Sequence, residues 1–451
     1  MKRKWFGTDG IRGEFGREPM TPGFVYRCGL AAAKHFGASL AAPLFVVGRD
    51  TRKSGPVLES ALCQGLVDGG AQTRRIGVLP TAAVSMLTVK LGASAGVMIS
   101  ASHNPYEDNG IKFFGPDGFK LPDEEEEKLE AAIDAAQEAP HSFSSPKPDF
   151  EADPASLQAY RETLKQSLPQ SFSLAGLRIC VDTAHGAAWK STPWILTGLG
   201  AQVSESASRP NGENINLNCG SLHPEALQSD LKKYPGAIGI CHDGDADRVV
   251  ILDEDADPLD GDELLAIAGL HAISRGALRK STVVATVMSN LGLDEALRKA
   301  GGRLERTAVG DRYVLEAMRA GGYAIGGEQS GHMLFLDYLP TGDGLLSALQ
   351  ILKVLVESGR PLKELRRAMR KYPQKLYNLK VREKKPLEQL PKVRAAIAEV
   401  ENEMAGKGRV LVRYSGTENK IRILLEKSET EGMESQARRI LAALENSPGL
   451  L

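Results

Sequence analysis

The sequence predicts an α/β protein with three consecutive α/β domains containing mixed sheets and a smaller α+β domain at the C-terminus. Short apolar runs alternate with helical patterns as far as about Ser358. Polar or glycine-rich loops follow the strand candidates, and after Gly359 the pattern changes. The 451 residues also suit three or four domains of about 100–200 residues each. We therefore predict domains at residues 1–150, 151–256, 257–368 and 369–451.

In the first domain, strand patterns and helix patterns alternate along the chain. The apolar runs Leu44–Val47 and Ala95–Ile99 predict strands, and the pattern from about Val57 to Val67 predicts a helix between them. Asp123–Ala136 contains helix formers throughout and acidic residues in its first turn, which favours a helix. Ala139–Pro154 contains four prolines and three serines, which indicates a linker.

The second domain is predicted to open with a helix at Ser156–Leu168, followed by a strand at Leu177–Val181. Its last two strands, Ala237–Ile240 and Val249–Leu252, lie on either side of Asp243. Loops at the carboxyl ends of strands are where ligands bind in such sheets. The segment around Asp243 is therefore a candidate site.

The third domain is predicted to contain a helix from Asp262, the β-branched strand Ser281–Val287 and a helix from Leu291. The last domain is predicted to have two strands and a terminal helix, at Arg409–Val412, Ile421–Leu425 and about Glu431–Leu444. This change of pattern indicates a separate α+β unit.

Composition and charge argue against several functional classes. The 56 basic and 57 acidic residues leave a net charge of −1, which gives no support to nucleic-acid or anionic-membrane binding. No stretch reaches the ~18 apolar residues of a membrane span, and the N-terminus lacks the apolar core of a secretory signal. The five cysteines are far apart and form no C-x-x-C pair, which is typical of reduced thiols in the cytoplasm. We predict a cytoplasmic protein.

Ser102 lies in the segment Ser100–Pro105, directly after the predicted strand Ala95–Ile99. A serine at a strand end, beside a histidine such as His103, can act as a nucleophile or a phosphoryl carrier. The alternative is an ordinary polar turn. The absence of a G-x-S-x-G sequence argues against an α/β-hydrolase.

Asp243, Asp245 and Asp247 are spaced at i, i+2 and i+4 in a loop between two strands, so their carboxylates can converge on one hard cation. An EF-hand would require glycine where Arg248 stands, and a loop where Val249–Leu252 indicates a strand. Three carboxylates with few other ligands suit Mg²⁺. We predict a magnesium site, on a loop exposed in a cleft.

A third segment, Arg413–Glu418, offers hydroxyls, backbone amides and an arginine, and Arg422 follows on the next strand. This combination suits a phosphate dianion. An ordinary hairpin turn is the alternative.

A fourth segment, Gly326–His332, places Glu328, Ser330 and His332 between glycines. Strand-like alternation predicts that the three side chains share one face, as recognition of a polyhydroxyl compound would require. A glycine-rich β-turn is the alternative.

Taken together and in this order, these segments resemble the α-D-phosphohexomutase superfamily, and within it the bacterial phosphoglucosamine mutases. The matching segments extend over nearly the whole chain: Phe6–Gly13, Gly48–Arg52, Gly96–Pro105, Asp108–Phe114, Asp243–Arg248, Val309–Tyr313, Gly327–His332 and Arg413–Glu418. Departures from the family pattern are Asn419, where a proline is usual, and Tyr414, where a small or basic residue is usual. The resemblance implies a heart-shaped molecule with its site in a central cleft.

The resemblance also implies a role for each matching residue. Ser102 would be the phosphoserine and a ligand of Mg²⁺ together with Asp243, Asp245 and Asp247. Four residues would surround the transferring phosphoryl group: Arg12, His103, Lys112 and Arg248. Sugar hydroxyls would be read by Glu328, Ser330 and His332. The phosphate that does not react would be held by Arg413, Ser415, Gly416, Thr417 and Arg422.

The activity implied is interconversion of glucosamine 6-phosphate and glucosamine 1-phosphate, through phospho-Ser102 and a 1,6-bisphosphate. Glucosamine 1,6-bisphosphate or glucose 1,6-bisphosphate would be the activator, and the product would feed UDP-N-acetylglucosamine and cell-wall precursor synthesis. Lys112, His103 and His332 are candidates for proton transfer, and the protein would be a monomer or homodimer. Phosphoglucomutase or phosphomannomutase activity is the alternative within the superfamily. A hydrolase and a non-enzymatic sugar-phosphate-binding protein are the rival hypotheses outside it.

Overall fold

The computed structural model describes residues 4–7, 9–37, 42–139, 143–144, 149–415, 419–447 and 450. The chain forms two compact units. The first comprises Met1–Ser289 and Leu297–Ala368, and the second comprises Asn290–Ala296 and Met369–Leu451. Three sheets with flanking helices lie in the first unit and one small sheet lies in the second. The predicted fold class is confirmed.

The first sheet is mixed and has the strand order β1-β5-β4-β2-β3. Its strands are β1 (Ile11–Glu14), β2 (Leu44–Arg49), β3 (Gln72–Val78), β4 (Ala95–Ile99) and β5 (Asp108–Phe114). The helices are α1 (Pro22–Gly37), α2 (Gly55–Asp68), α3 (Thr81–Lys90) and α4 (Asp123–Asp134). Strand β4 is buried along its whole length because helices cover both faces of the sheet's centre. Its carboxyl end leads directly into Ser100.

The second sheet has the order β10-β9-β8-β6-β7. Its strands are β6 (Arg178–Asp182), β7 (Gln202–Ser206), β8 (Ile238–His242), β9 (Val249–Leu252) and β10 (Pro258–Leu259). The helices are α5 (Pro154–Gln166), α6 (Ser191–Gly198) and α7 (Glu225–Leu231). Strands β8 and β9 are antiparallel neighbours, so residues 243–248 form the connection between them.

The third sheet has the order β12-β11-β13-β14. Its strands are β11 (Thr282–Thr286), β12 (Arg303–Thr307), β13 (Ile325–Gly327) and β14 (Met333–Phe335). The helices in this part of the chain are α8 (Gly261–Ser274), α9 (Leu291–Lys299), α10 (Asp311–Gly321), α11 (Gly344–Ser358) and α12 (Leu362–Leu365). Strands β13 and β14 are antiparallel and are joined by residues 328–332.

The second unit is built on an antiparallel sheet with the order β15-β17-β16. Its strands are β15 (Gln374–Lys380), β16 (Gly408–Tyr414) and β17 (Lys420–Lys427), and its helices are α13 (Pro391–Met404) and α14 (Met433–Glu445). One core of buried side chains, including Val393, Ile423 and Ile440, joins the sheet to both helices. The two strands and the terminal helix predicted here agree with the structure to within two residues.

All five cysteines are buried and free of disulfide bonds. Within the described residues, no helix combines the length and the apolar character that crossing a membrane requires.

Candidate active site

Ser102 lies in the serine loop, residues Ser100–Pro105, which continues from the carboxyl end of β4. Its backbone φ is +53°, which is unusual for a residue with a side chain, and the residue is only 1% exposed. The Oγ atom donates a hydrogen bond to Oδ2 of Asp243 over 2.8 Å and lies 3.3 Å from Nδ1 of His103. The fold therefore brings the candidate serine to the first of the three predicted carboxylates.

Asp243, Asp245 and Asp247 belong to the carboxylate loop, residues 243–248, and offer three oxygen atoms that lie within 4.8 Å of one another. The convergence predicted from their spacing is present, but the expected exposure of the loop is wrong. The three residues are between 0% and 4% exposed. The loop packs closely against the serine loop, since a Cβ atom on Gly244 would lie 2.5 Å from the carbonyl oxygen of Ser102.

Two of the carboxylates each keep one oxygen without a hydrogen-bond donor. Oδ2 of Asp245 accepts hydrogen bonds from Oγ1 of Thr81 over 2.6 Å and from Nζ of Lys112 over 2.8 Å. Oδ2 of Asp247 accepts from the same lysine over 3.3 Å. The Oδ1 atoms of both aspartates are buried and have no donor among the described residues. Such oxygen atoms are the ligands that Mg²⁺ prefers, so this donor set fits a magnesium ion.

Burial and neighbouring charges shift the pKa values of the ionisable groups at this point. Burial, followed by the neighbouring carboxylates, raises the pKa of Asp243 to about 8. Burial also opposes ionisation of Asp247, but Lys112 and His332 outweigh it and hold the pKa well below its ordinary value. For Lys112, burial favours the neutral form, yet the surrounding carboxylates outweigh burial and raise its pKa well above the usual value. Three carboxylates that converge in a buried loop suit a divalent cation, whose charge would add to that of Lys112.

The remaining residues expected around the phosphoryl group lie beside Ser102. Arg12, on β1, donates to the carbonyl oxygen of Ala101 over 3.3 Å. The backbone N–H of Arg248 donates to Oδ1 of Asp243 over 3.2 Å and closes the carboxylate loop. Burial, with smaller contributions from Arg248 and Arg12, lowers the pKa of His103 to about 4. The guanidiniums of Arg12 and Arg248 and the ammonium of Lys112 are therefore the positive charges in this part of the site, and His103 is its neutral member.

A second lysine, Lys120, whose side chain is 10% exposed, was not predicted from the sequence. Its ammonium forms ion pairs with Asp9 and Asp311. Asp9 also pairs with Arg12 and lies 2.9 Å from Nζ of Lys112. The fold thus adds to the charged site a lysine that lies outside every matching segment, and pairs it with aspartates from two of those segments.

Backbone hydrogen bonds fix the turn Glu328–His332 to the start of β9, directly after the carboxylate loop, and to the start of α8. The N–H of Val249 donates to the carbonyl oxygen of Gly331 over 3.1 Å, and the N–H of Gly261 donates to that of Gln329 over 3.0 Å. The chain reverses here because Gly331 adopts φ = +88°.

The strand-like alternation predicted for Glu328, Ser330 and His332 is absent, because these residues form a turn rather than extended backbone. His332 is 3% exposed, with its ring nitrogens 3.6 Å from carboxylate oxygens of Asp247 and Asp311. Glu328 is half-buried and accepts a hydrogen bond from a backbone N–H over 3.1 Å. Ser330 is exposed. The structure therefore brings His332 to the carboxylates and leaves Ser330 at the surface of the turn.

In the second unit, Arg413 and Arg422 are cross-strand partners on β16 and β17. Burial and the neighbouring guanidinium lower the pKa of Arg413, and its buried Nε atom has no acceptor among the described residues. Ser415 is buried at the end of β16, whereas Gly416 and Thr417 lie outside the described residues. Two adjacent guanidiniums favour binding of an anion.

Comparison with known families gives a match along most of the chain. Models of the phosphoglucomutase/phosphomannomutase family match in four parts: alpha/beta/alpha domain I at residues 3–140, domain II at 158–257, domain III at 260–372 and the C-terminal domain at 376–443.

Curated relatives and solved structures agree with that match. The phosphoglucosamine mutase of Syntrophotalea carbinolica is 45% identical, with 100% of this chain and 99% of the relative covered. That of Pelobacter propionicus is 46% identical, with 97% of each chain covered. A phosphoglucomutase/phosphomannomutase family protein from Burkholderia thailandensis has a TM-score of 0.80 at 22% identity, covering 98% of this chain and 97% of that one. The Aspergillus fumigatus N-acetylphosphoglucosamine mutase, solved with GlcNAc-6P and magnesium, has a TM-score of 0.69 at 19% identity, covering 98% and 95%. At these identities the two structures show likeness of fold.

Proposed function

The chain belongs to the phosphoglucomutase/phosphomannomutase family of isomerases, and from this membership we propose that it interconverts glucosamine 6-phosphate and glucosamine 1-phosphate. Relatives named phosphoglucosamine mutase, at 45–46% identity over nearly their whole length, support the amino sugar as substrate. The observation that carries the chemistry is the hydroxyl of Ser102, 2.8 Å from Asp243 in a cluster of three carboxylates.

Ser102 is the proposed phosphoryl carrier. Its P–Oγ bond breaks as a hydroxyl oxygen of the sugar monophosphate forms a new P–O bond, which gives a 1,6-bisphosphate, and the proton lost by that hydroxyl is balanced by one gained at Oγ. In the second transfer the P–O bond to the other phosphate of the bisphosphate breaks as Oγ, losing its proton, forms a new P–O bond, and the freed sugar oxygen gains a proton. Because Ser102 is 1% exposed, the buried site also limits hydrolysis of the phosphoserine by water.

Phosphoryl transfer spreads negative charge over the phosphoryl oxygens, so positioning and neutralisation dominate catalysis. Arg12, Lys112 and Arg248 supply fixed positive charge around Oγ. Asp243, Asp245 and Asp247, with Ser102, would hold Mg²⁺, which neutralises phosphoryl oxygens when bound. Nδ1 of His103 lies 3.3 Å from Oγ. At that distance His103 is placed to exchange a proton with the serine oxygen.

The sugar would be recognised by the turn between β13 and β14. Glu328, Ser330 and His332 are the proposed partners of its hydroxyls, and the strand pair bearing Arg413 and Arg422 is the proposed holder of the non-reacting phosphate. The reaction would take place in the cytoplasm, where free cysteines stay reduced, and would supply UDP-N-acetylglucosamine and cell-wall precursor synthesis.

The choice of substrate can be tested directly. The catalytic efficiency with glucosamine 6-phosphate is expected to exceed that with glucose 6-phosphate by ~5–30-fold, since one polar contact to the amine is worth ~1–2 kcal/mol. Both sugars should be assayed with enzyme first phosphorylated by glucose 1,6-bisphosphate. Equal or better efficiency on glucose 6-phosphate would overturn the amino-sugar assignment and favour a phosphoglucomutase.

Arg413→Ala is expected to raise the KM for the sugar phosphate by ~10–150-fold, because a charge-assisted phosphate contact is worth ~1.5–3 kcal/mol. Binding of the substrate and of the bisphosphate should suffer more from this change than the integrity of phospho-Ser102. Arg438→Ala is a matched control, since this exposed arginine on α14 lies 3.8 Å from the carboxylate of Glu434 on the same helix. An unchanged KM in the Arg413 variant would remove the strand pair from the binding site.

A further inference from the structure

The segment Gly48–Arg52 matches the family, yet the mechanism above gives it no role. Arg52 follows β2, which pairs in parallel with β4, so it lies beside the start of the serine loop. Its side chain is 0% exposed. A fully buried guanidinium requires compensating partners, and its partners here are informative.

Three backbone carbonyls of the serine loop converge on this one guanidinium. Nη2 of Arg52 donates to the carbonyl oxygens of Ser102 over 3.0 Å and of Asn104 over 2.9 Å. Nη1 donates to the carbonyl oxygens of Pro105 over 2.8 Å and of Asn104 over 3.1 Å. Only a planar fork with several N–H donors satisfies acceptors in this arrangement; an ammonium offers a single nitrogen.

Asp50 fixes the guanidinium and the loop at the same time. The Oδ2 atom of Asp50 lies 3.0 Å from Nε of Arg52, and it accepts a hydrogen bond of 2.6 Å from the hydroxyl of Ser100. The hydroxyl oxygen of Ser100 in turn accepts a hydrogen bond of 3.0 Å from the backbone N–H of Ser102. Ser102 is therefore held through both its N–H and its carbonyl.

A second side chain reaches the same carbonyls from the neighbouring sheet. Nδ2 of Asn216, which follows β7, donates to the carbonyl oxygens of Ser102 over 2.9 Å and of Asn104 over 3.0 Å. The left-handed backbone of Ser102, φ = +53°, costs free energy for a residue with a side chain. These contacts hold the residue in that conformation.

We propose that Arg52 is a positioning residue for phosphoryl transfer, which fixes the backbone of Ser102 so that Oγ faces the carboxylate loop. The inference rests on the proposed role of Ser102 as phosphoryl carrier. Arg52 touches neither Oγ nor the carboxylates of residues 243–247, so its effect passes through the loop backbone.

Arg52→Lys tests this role, with Arg49→Lys as the matched control. Arg49 ends β2, has a side chain 4% exposed and pairs with Glu59 over 3.1 Å, away from the serine loop. Misplacing a reacting group by about 1 Å costs ~10²-fold in rate, so kcat of Arg52→Lys should fall ~10–100-fold. The KM for glucosamine 6-phosphate should change less than ~3-fold, because the groups that bind the sugar are untouched.

The outcomes separate a positioning role from a structural one. Equal losses of kcat in the Arg52 and Arg49 variants, or a wild-type kcat in Arg52→Lys, would overturn the inference. If Arg52→Lys does not fold, Asn216→Gly carries the test, since glycine keeps the positive φ of 60° while removing the donor. A lower kcat at constant KM then supports the inference, and an unchanged kcat overturns it.

The phosphorylation state of the wild type distinguishes this inference from its premise. Intact mass after incubation with glucose 1,6-bisphosphate should show one added phosphoryl group. A wild type without that group would refute the phosphoserine mechanism and the inference together. A phosphorylated wild type with a fully active Arg52→Lys would refute the inference alone.

Discussion

Ser102→Ala is expected to fold normally and to lose turnover by at least ~10³-fold, because the phosphoryl relay then has no carrier. The substitution removes one hydroxyl, which donates a 2.8 Å hydrogen bond to Asp243 and lies 3.3 Å from Nδ1 of His103. Steady-state conversion of glucosamine 6-phosphate, together with intact mass after exposure to the bisphosphate, measures both the rate and the missing phosphoryl group.

Ser85→Ala provides the control for that experiment. Ser85 is also fully buried, and its hydroxyl donates to the carbonyl oxygen of Gly118 over 2.6 Å, away from the carboxylates. This variant should keep kcat within ~3-fold of the wild type. More than a few per cent of wild-type activity in Ser102→Ala would refute the phosphoserine assignment.

Asp245→Asn is expected to weaken Mg²⁺ binding and to lower kcat/KM by ~10²–10³-fold, the usual cost of losing one electrostatic contact to the transition state. The neutral amide keeps the size of the side chain but removes one of three charges that converge within 4.8 Å. Removal of divalent cations by a chelator should abolish activity in the wild type, and added Mg²⁺ should restore it. Calorimetric titration with Mg²⁺ measures the affinity independently of turnover.

Asp255→Asn is the matched control for the metal site. Asp255 is exposed in the turn after β9, where its carboxylate pairs with Lys363 over 3.1 Å. Its substitution should change neither Mg²⁺ affinity nor kcat/KM. Activity that survives exhaustive chelation would show that the three aspartates are structural.

The sequence predicted the parts of the site that are local in the chain. Three aspartates at alternate positions between two apolar strands predict that their carboxylates converge. A serine directly after a buried strand is predicted to lie at the strand's carboxyl end, where ligands bind. Exposure of the carboxylate loop was predicted wrongly because burial here depends on the serine loop, 141 residues away. The alternation predicted for residues 328–332 failed because the chain turns there instead of remaining extended.

Other parts of the site carry no signal that one sequence provides. Thr81 begins α3, and from the sequence it is an ordinary first residue of a helix. Its hydroxyl nevertheless donates a hydrogen bond to Oδ2 of Asp245. Lys120 is a single lysine in a polar segment, and its pairing with Asp9 and Asp311 arises only from tertiary packing. Packing likewise places Asn290–Ala296 in the second unit, where the N–H of Leu291 donates to Glu426.

The backbone bonds of the turn Glu328–His332 bear on how substrate scope can be redesigned. A Cβ atom on Gly331 would lie 2.1 Å from the carbonyl oxygen of Val249, on the strand that leaves the carboxylate loop. A substitution there would displace the carboxylate loop as well as the turn, and would therefore impair catalysis for every sugar at once. Libraries aimed at new hexose phosphates should vary the side chains of residues 328–330 and retain Gly331. Preference for the sugar can then evolve without disturbing the chemistry beside it.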